Sequence, residues 1–575
     1  VSMVDERSAF DPPVSLYDHA LRLHQLNSGQ PIPRGGEPYP PGAVPAVGAL
    51  RPDYAELKSA AVSVLQDYLA DPVLRPSDLH DRLGRLSPGY PYVEGILEEI
   101  SLEPSPRLRE TARWLVRHGT DLHAVRVGLG LFRGNAEQCD IAELVVVGLL
   151  SGADQLALAV LATIPEAEPG IIWLAERSRD TIRSQAARLL ADRQDPLVQH
   201  WVRSTPRHLL SGQVARQIAE THRLAVILSG PTVSDERWDQ TGNLLLAMMS
   251  ARDDGAEIGN YADAAEVCCR WVALAGQRPP TLDRAAVLAS VAEDLRTGAA
   301  APVVDERRGE LLDRIEEVLS AQPWVDMLET SRTSGDRVAA RRARWIAGRP
   351  APREGLAARF AVRVVVEDPD SVGYPQVEAR IVIDGMPIVV TAFGKGRAAP
   401  ESLLDSGKLR ATAEPNQIRL AEAHCAEECC GGLSVTVLRE GSEVVWTGWR
   451  SSKKRALPPE MRFDADAYDR EVTRAEQDLR WEWPARTVAR LVSDGLRDDP
   501  TILGRWDCRL EWCDASLRNY DTVRLGLHYP AHPVVDLAVD VADRAAESVS
   551  AEILEMLRSA DPRSACGVQW CEKSR

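Results

Sequence analysis

The stretch His424-Cys425-Ala426-Glu427-Glu428-Cys429-Cys430 gathers one imidazole and three thiols within seven residues. Such groups can hold a zinc ion tetrahedrally, and a thiolate beside a base can act as a nucleophile or redox centre. Cys425 and Cys429 are separated by three residues, within the range of a first ligand pair, and His424 or Cys430 supplies a third ligand. A fourth ligand would have to be brought in by the fold from Cys508, Cys513, Cys566 or Cys571. Against zinc, the Cys-x2-Cys knuckle is absent and no second pair has finger-like spacing. Against a nucleophile, the sequence identifies no activating base. The residues favour packed thiols at a strand entrance in a reducing compartment, with Gly431-Gly432 turning the chain into "LSVTVLR". No cofactor is expected; a structural zinc at His424, Cys425, Cys429 and Cys430 is the alternative.

Other chemistry-bearing residues read mostly as structure. Gly394-Lys395-Gly396 lacks the spacing of a phosphate loop and reads as a turn after a strand. Cys268-Cys269 lies in the helical pattern "DAAEVCCRWVALAG" and reads as core, while His528 and His532 in "LHYPAHP" read as a strand-end turn. In "RWDCRLEWC", alternation puts Cys508 inward with Trp506, Leu510 and Trp512 and sends Cys513 to the other face. Asp507 and Glu511 would then share a face, with Arg509 between them for charge pairing. No Ser-His-Asp order, HExxH motif or GxGxxG after a strand is present. Fourteen tryptophans against five phenylalanines supply large anchors. On one strand Trp446 and Trp449 would face opposite sides, and "WEWP" reads as packing at the start of the helix "ARTVARLV".

The elements that must position these residues fall into three parts. Residues 1–52 hold one helix, "SLYDHALRLHQL", and a Pro/Gly-dense arm, "PIPRGGEPYPPGAVPAVG". Residues 53–350 are a succession of helical patterns such as "RLRETARWLVRHG", in which Leu108, Ala112, Leu115 and Val116 share one face. Residues 351–575 turn to alternation and predict an α+β domain of mainly antiparallel strands, divisible into lobes 351–455 and 456–575. Expected strands there include "FAVRVVVED", "QVEARIVIDG", "MPIVVTAFG" and "EVVWTGW", with a hairpin at Asp384-Gly385.

In "RSQAARLLADRQDPLVQHWV", Ala186, Ala187, Leu189 and Leu190 form one helix face and Asp195-Pro196 breaks before Leu197, Val198 and Trp201. This resembles a HEAT repeat, which implies an α-solenoid of stacked helix pairs. Together with "HCAEECCGGLSVTVLREGSEVVWTGWR" and "RWEWPARTVARLVSDGLRDDPTILGRWDCRLEW", the array is similar to a group of actinomycete proteins, and the Ala/Arg-rich, Lys-poor composition fits a high-GC bacterium. That resemblance implies a domain plan and an origin but no site residues.

A net charge of −17 argues against a general nucleic-acid binder. A DNA-binding scaffold similar to the HEAT-like alkylpurine glycosylases would have to use Arg337, Arg341, Arg342 and Arg344. No apolar run reaches the roughly 18 residues that span a bilayer, and the first residues lack a secretory pattern. The expectation is a cytoplasmic, non-catalytic protein-interaction scaffold, its partner a protein or peptide of basic character, with service in immunity or a conflict system as one setting. The alternative is an enzyme or metal-dependent sensor with its site near Cys425–Cys430.

Overall fold

The computed structural model describes residues 14–41, 43, 54–86, 105–250, 256–371, 376–394, 398–422, 431–452, 456–530, 534–542, 544–564 and 568–571. The chain divides into two compact units, Val1–Leu210 and Ser211–Arg575.

The first unit is helical: α1 (Leu16–Leu26), α2 (Tyr54–Ala70), α3 (Pro76–Gly84), α4 (Pro106–His118), α5 (Leu122–Phe132), α6 (Ile141–Val147), α7 (Asp154–Leu161), α8 (Glu168–Glu176), α9 (Asp180–Leu190) and α10 (Pro196–Arg203). The starts follow local chemistry. The side chains of Ser15, Ser105, Asp121 and Asp195 accept the first free N–H groups of α1, α4, α5 and α10, and Pro106 and Pro196 occupy first-turn positions where no donor is lost. In α4, Leu108, Ala112, Leu115 and Val116 are buried, as their spacing predicts. From α3 onward each helix packs on the next but one: α3 on α5, α4 on α6, α5 on α7, α6 on α8, α7 on α9 and α8 on α10, and from α6 to α10 each also packs on its successor. The stretch read as an arm is docked along its described part. Leu16 donates to the Gly119 carbonyl at 2.9 Å, Ser151 to that of Gly35 at 2.8 Å and Leu122 to that of Ala43 at 2.9 Å, and α1 lies on α4 and α6.

The second unit opens with α11 (Gly212–Thr221), α12 (Leu224–Leu228), α13 (Asp235–Met249), α14 (Ala264–Leu274), α15 (Leu282–Thr297), α16 (Arg308–Leu319), α17 (Gln322–Arg332) and α18 (Arg337–Ala347). The same neighbour-but-one packing recurs, from α11 on α13 to α15 on α17. Between α13 and α14, Trp238 and Trp271 stack at 4.6 Å, and each indole donates to the other's backbone carbonyl at 2.9 Å.

Strands follow: β1 (Phe360–Val366), β2 (Val377–Ile383) and β3 (Met386–Pro387) form one sheet, ahead of the short helix α19 (Ile388–Ala392). A second sheet has the order β4 (Asn416–Glu422), β5 (Gly432–Glu440), β6 (Glu443–Ser451), β7 (Met461–Asp464). After α20 (Ala465–Gln477), α21 (Pro484–Asp498) and α22 (Thr501–Gly504) comes a third sheet of β8 (Arg509–Ala515), β9 (Thr522–His528), β10 (Val534–Asp540) and β11 (Val568–Cys571), with α23 (Ala546–Ser559) between β10 and β11 in sequence. Every described strand pair is antiparallel. Two cores result. The first joins β1, β2 and the second sheet to α20 around Phe360, Trp446, Phe463 and Tyr468; the second joins α21 and α23 to the third sheet around Val488, Leu525, Val535 and Ile553.

Three strand expectations are corrected. "MPIVVTAFG" gives a strand of only two residues and then a helix. Asp384 and Gly385 turn the hairpin at φ 50° and 76°, but Pro387 has no N–H to extend the ladder, and Thr391 donates back to its carbonyl at 3.1 Å. Trp446 and Trp449 share one face, 5.8 Å apart, because Gly448 at φ +61° forms a bulge opposite Val435 that resets the alternation. Cys513 packs inward and Trp512 does not. A register shift between Leu510 and Trp512 brings Cys513 and Leu510 onto the same core, and Asp507, at φ +52°, precedes the strand rather than sharing a face with Glu511.

Candidate functional site

His424, Cys425, Cys429 and Cys430 lie outside the described residues, as do His532 and Lys395-Gly396. The described flanks match the strand-entrance expectation: Gly431 sits at φ +80° and Gly432 opens β5, opposite Glu422 of β4. Among the described residues, no group of three or more His, Cys, Asp or Glu side chains is placed to hold a metal ion.

Cys268, Cys508 and Cys513 are poor nucleophiles by environment. Burial pushes Cys268 and Cys513 up to about 12, and it raises Cys508 as well. Cys513 donates to the Ala489 carbonyl of α21 at 3.5 Å. A cavity of about 920 Å³ reaches Cys508 and Cys513, with Trp512, Asp514 and Arg486 on its wall. Arg486, only 2% exposed, is committed there to Asp405 at 2.5 Å and to Glu401 at 3.0 Å, an arrangement that fastens α21 to the segment after α19.

A second cavity, of about 720 Å³, is densely charged and walled by α15, α18, β1, α20 and the start of α21. Seven arginines and four carboxylates line it, with Trp345, Trp481, Trp483 and Tyr520. Five of the arginines are answered by carboxylates: Arg296 by Glu293 at 2.5 Å, Arg349 by Glu316 at 2.7 Å, Arg363 by Glu354 at 2.5 Å, Arg474 by Glu471 at 2.7 Å and Arg480 by Asp478 at 2.8 Å. Glu482 is taken by Arg490 at 2.9 Å. Arg341 and Arg344 differ. Among the described residues neither side chain makes an ion pair or a hydrogen bond; Arg341 lies with its guanidinium carbon 4.4 Å from the centre of the Tyr520 ring. Tyr520 in turn stacks on Trp483 at 5.8 Å, 22° from parallel, and burial raises its phenol, against the pull of the Arg341 and Arg344 charges.

Local sequence explains this placement. Asp336 caps α18 by accepting from Val338 and Ala339. Its apolar stripe of Ala340, Ala343 and Ile346 is buried, which leaves Arg341 and Arg344, three residues apart, on another face. Arg342 points inward instead. Burial opposes its charge, yet Asp368, at 2.7 Å, and Asp283 hold its pKa above the usual value, and Asp370 lies 3.6 Å away. Trp345 is fixed by donating to the Val366 carbonyl of β1 at 2.9 Å. Trp483 is the residue before α21, buried in the second core as "WEWP" predicts, and Trp481 faces the guanidinium of Arg486 at 5.0 Å.

Of the arginines named in the sequence as a DNA-binding set, the fold thus sends Arg342 to a buried ion pair and only Arg341 and Arg344 to the cavity. The aromatic wall went unforeseen, because Trp345, Trp483 and Tyr520 come from three distant segments. The visible signals were the excess of tryptophan and the Arg341-Arg342-Ala343-Arg344 run. Compared with known proteins, the chain matches no family model, no curated protein and no solved structure.

Proposed function

We propose that this chain is a non-catalytic binding protein whose helical segment, residues 53–350, acts as a HEAT-like scaffold for another polypeptide. The observation that carries the reading is the neighbour-but-one helix packing within each unit, the contact pattern of stacked helix pairs. The turn at Asp195-Pro196, capped as such repeats require, supports it further. Stacked pairs offer a row of parallel helices to a partner, and a net charge of −17 favours a basic one by steering its approach. Immunity to a basic toxin in a high-GC bacterium is a setting in which such a surface serves.

The test is native mass spectrometry of the full chain, tagged at its natural level in its own host, followed by a salt titration of any complex. A stoichiometric basic polypeptide, released as salt rises through the range that screens surface charge, is the expected result. A chain that flies alone, or a stoichiometric acidic partner insensitive to salt, would overturn the reading.

A further inference from the structure

The 720 Å³ cavity in the second unit presents a charge that the protein itself answers only in part. Its volume lies inside the roughly 300–1,000 Å³ range of small-molecule sites. Five of its arginines are spent on neighbouring carboxylates, whereas among the described residues Arg341 and Arg344, on one helix face, make no ion pair, and Asp370 answers the Arg341 charge only at longer range. In a chain of net charge −17, a local positive excess of this kind is set against the field of the whole molecule. Guanidinium pairs at such spacing match the oxygens of a phosphate, which each can grip through two N–H donors.

The rest of the wall is aromatic. Tyr520 and Trp483 stack, Arg341 covers the Tyr520 ring, and Trp345 and Trp481 complete the lining. Indole and phenol faces stack on flat heterocycles of any identity, worth about 1–3 kcal/mol per base. A purely inorganic anion would leave that surface unused, and a neutral ring would leave the two arginines without an ion pair. We propose that this cavity binds a heteroaromatic monophosphate of the mononucleotide class, with Arg341 and Arg344 holding the phosphate and the Trp345, Trp483 and Tyr520 side holding the ring. The cavity is bounded and the chain acidic, so the ligand is a monomer and not a nucleic-acid strand.

The experiment is isothermal titration of the full-length protein at low salt with AMP, GMP and UMP, and separately with adenosine, inorganic phosphate and a short single-stranded oligonucleotide. At least one monophosphate should bind saturably, with adenosine and phosphate each about tenfold or more weaker, the loss expected when one half of a two-part contact is missing. Arg344→Gln, a change at an exposed position, should weaken the monophosphate about tenfold while leaving the unfolding curve in place. Arg341→Gln should do the same, and Tyr520→Leu should cost affinity for the nucleotide but not for phosphate. No monophosphate binding up to about 1 mM, binding indifferent to both arginine substitutions, phosphate as tight as nucleotide, or an oligonucleotide tighter than the monomer would each overturn the proposal.

Discussion

Arg342→Ala removes the one guanidinium that, among the described residues, pairs with the buried carboxylate of Asp368. The Arg342 side chain is 11% exposed and that of Asp368 is 5% exposed, and their contact is two-pronged, Nε to Oδ1 at 2.9 Å and Nη2 to Oδ2 at 2.7 Å. Asp283 and Asp370, the other two acids around Arg342, are 85% and 45% exposed and return to water without much cost. Asp368 cannot; it keeps the Asp370 N–H at 3.1 Å, a neutral donor that does not balance its charge. Stranding one partner of a buried pair costs about 3–5 kcal/mol. Because the chain has two units, the measurement is the later-melting or earlier-melting transition that moves, followed by urea unfolding with tryptophan fluorescence. The double variant Arg342→Met with Asp368→Asn removes both charges and should recover about 2–3 kcal/mol of the loss, since a neutral pair of similar size no longer strands a charge. A single-variant cost below about 1 kcal/mol, or a double variant as unstable as the single, would refute the argument that desolvation dominates here.

Three further outcomes are expected. Gly526→Ala places a methyl carbon 2.3 Å from the Trp512 indole, so it should destabilise by about 1–3 kcal/mol, and adding Trp512→Ala should return part of that. Burial pushes Asp294 up to about 6 from 3.8, so protonation favours the folded chain. Its contribution to stability is full below about pH 4 and is lost as pH rises through about 6, and Asp294→Asn should flatten the stability profile in that window. In native protein at mildly alkaline pH, iodoacetamide followed by peptide mapping should label exposed Cys139 well before Cys268 or Cys513, whose thiols burial keeps protonated.

The helical plan was legible because amphipathic stripes and caps are local. Leu108, Ala112, Leu115 and Val116 declare their face within one helix, and Asp195-Pro196 announces a start without help from elsewhere. Two of the strand errors share one cause. Period-two reading assumes an unbroken pleat, and one added residue at Gly448, or the shift after Leu510, reverses every side chain beyond it. In "MPIVVTAFG" four β-branched residues advertise a strand, but the missing N–H of Pro387 decides the outcome. The cavity was half visible. Arg341 and Arg344 stand out by composition, whereas their lack of carboxylate partners and their aromatic neighbours exist only once α18, α21 and the β8–β9 connection are folded together.

Packing each helix on the next but one also shapes how the chain leaves the ribosome. Contacts of this kind close short loops, and domains dominated by them fold fast. The first unit has all the residues of its core once Leu210 is out of the tunnel, and residues 211–575 take roughly 20–70 s to make at ordinary rates of synthesis. The second unit has no such head start. Its first core already needs β1 beside α20, where the Glu471 carboxylate accepts the Val362 N–H, and its second needs α23, made more than 300 residues after Leu210. Synthesis therefore produces a finished helical unit that trails a nascent, sheet-forming one, and a chaperone working on this protein would find its substrate in the C-terminal part.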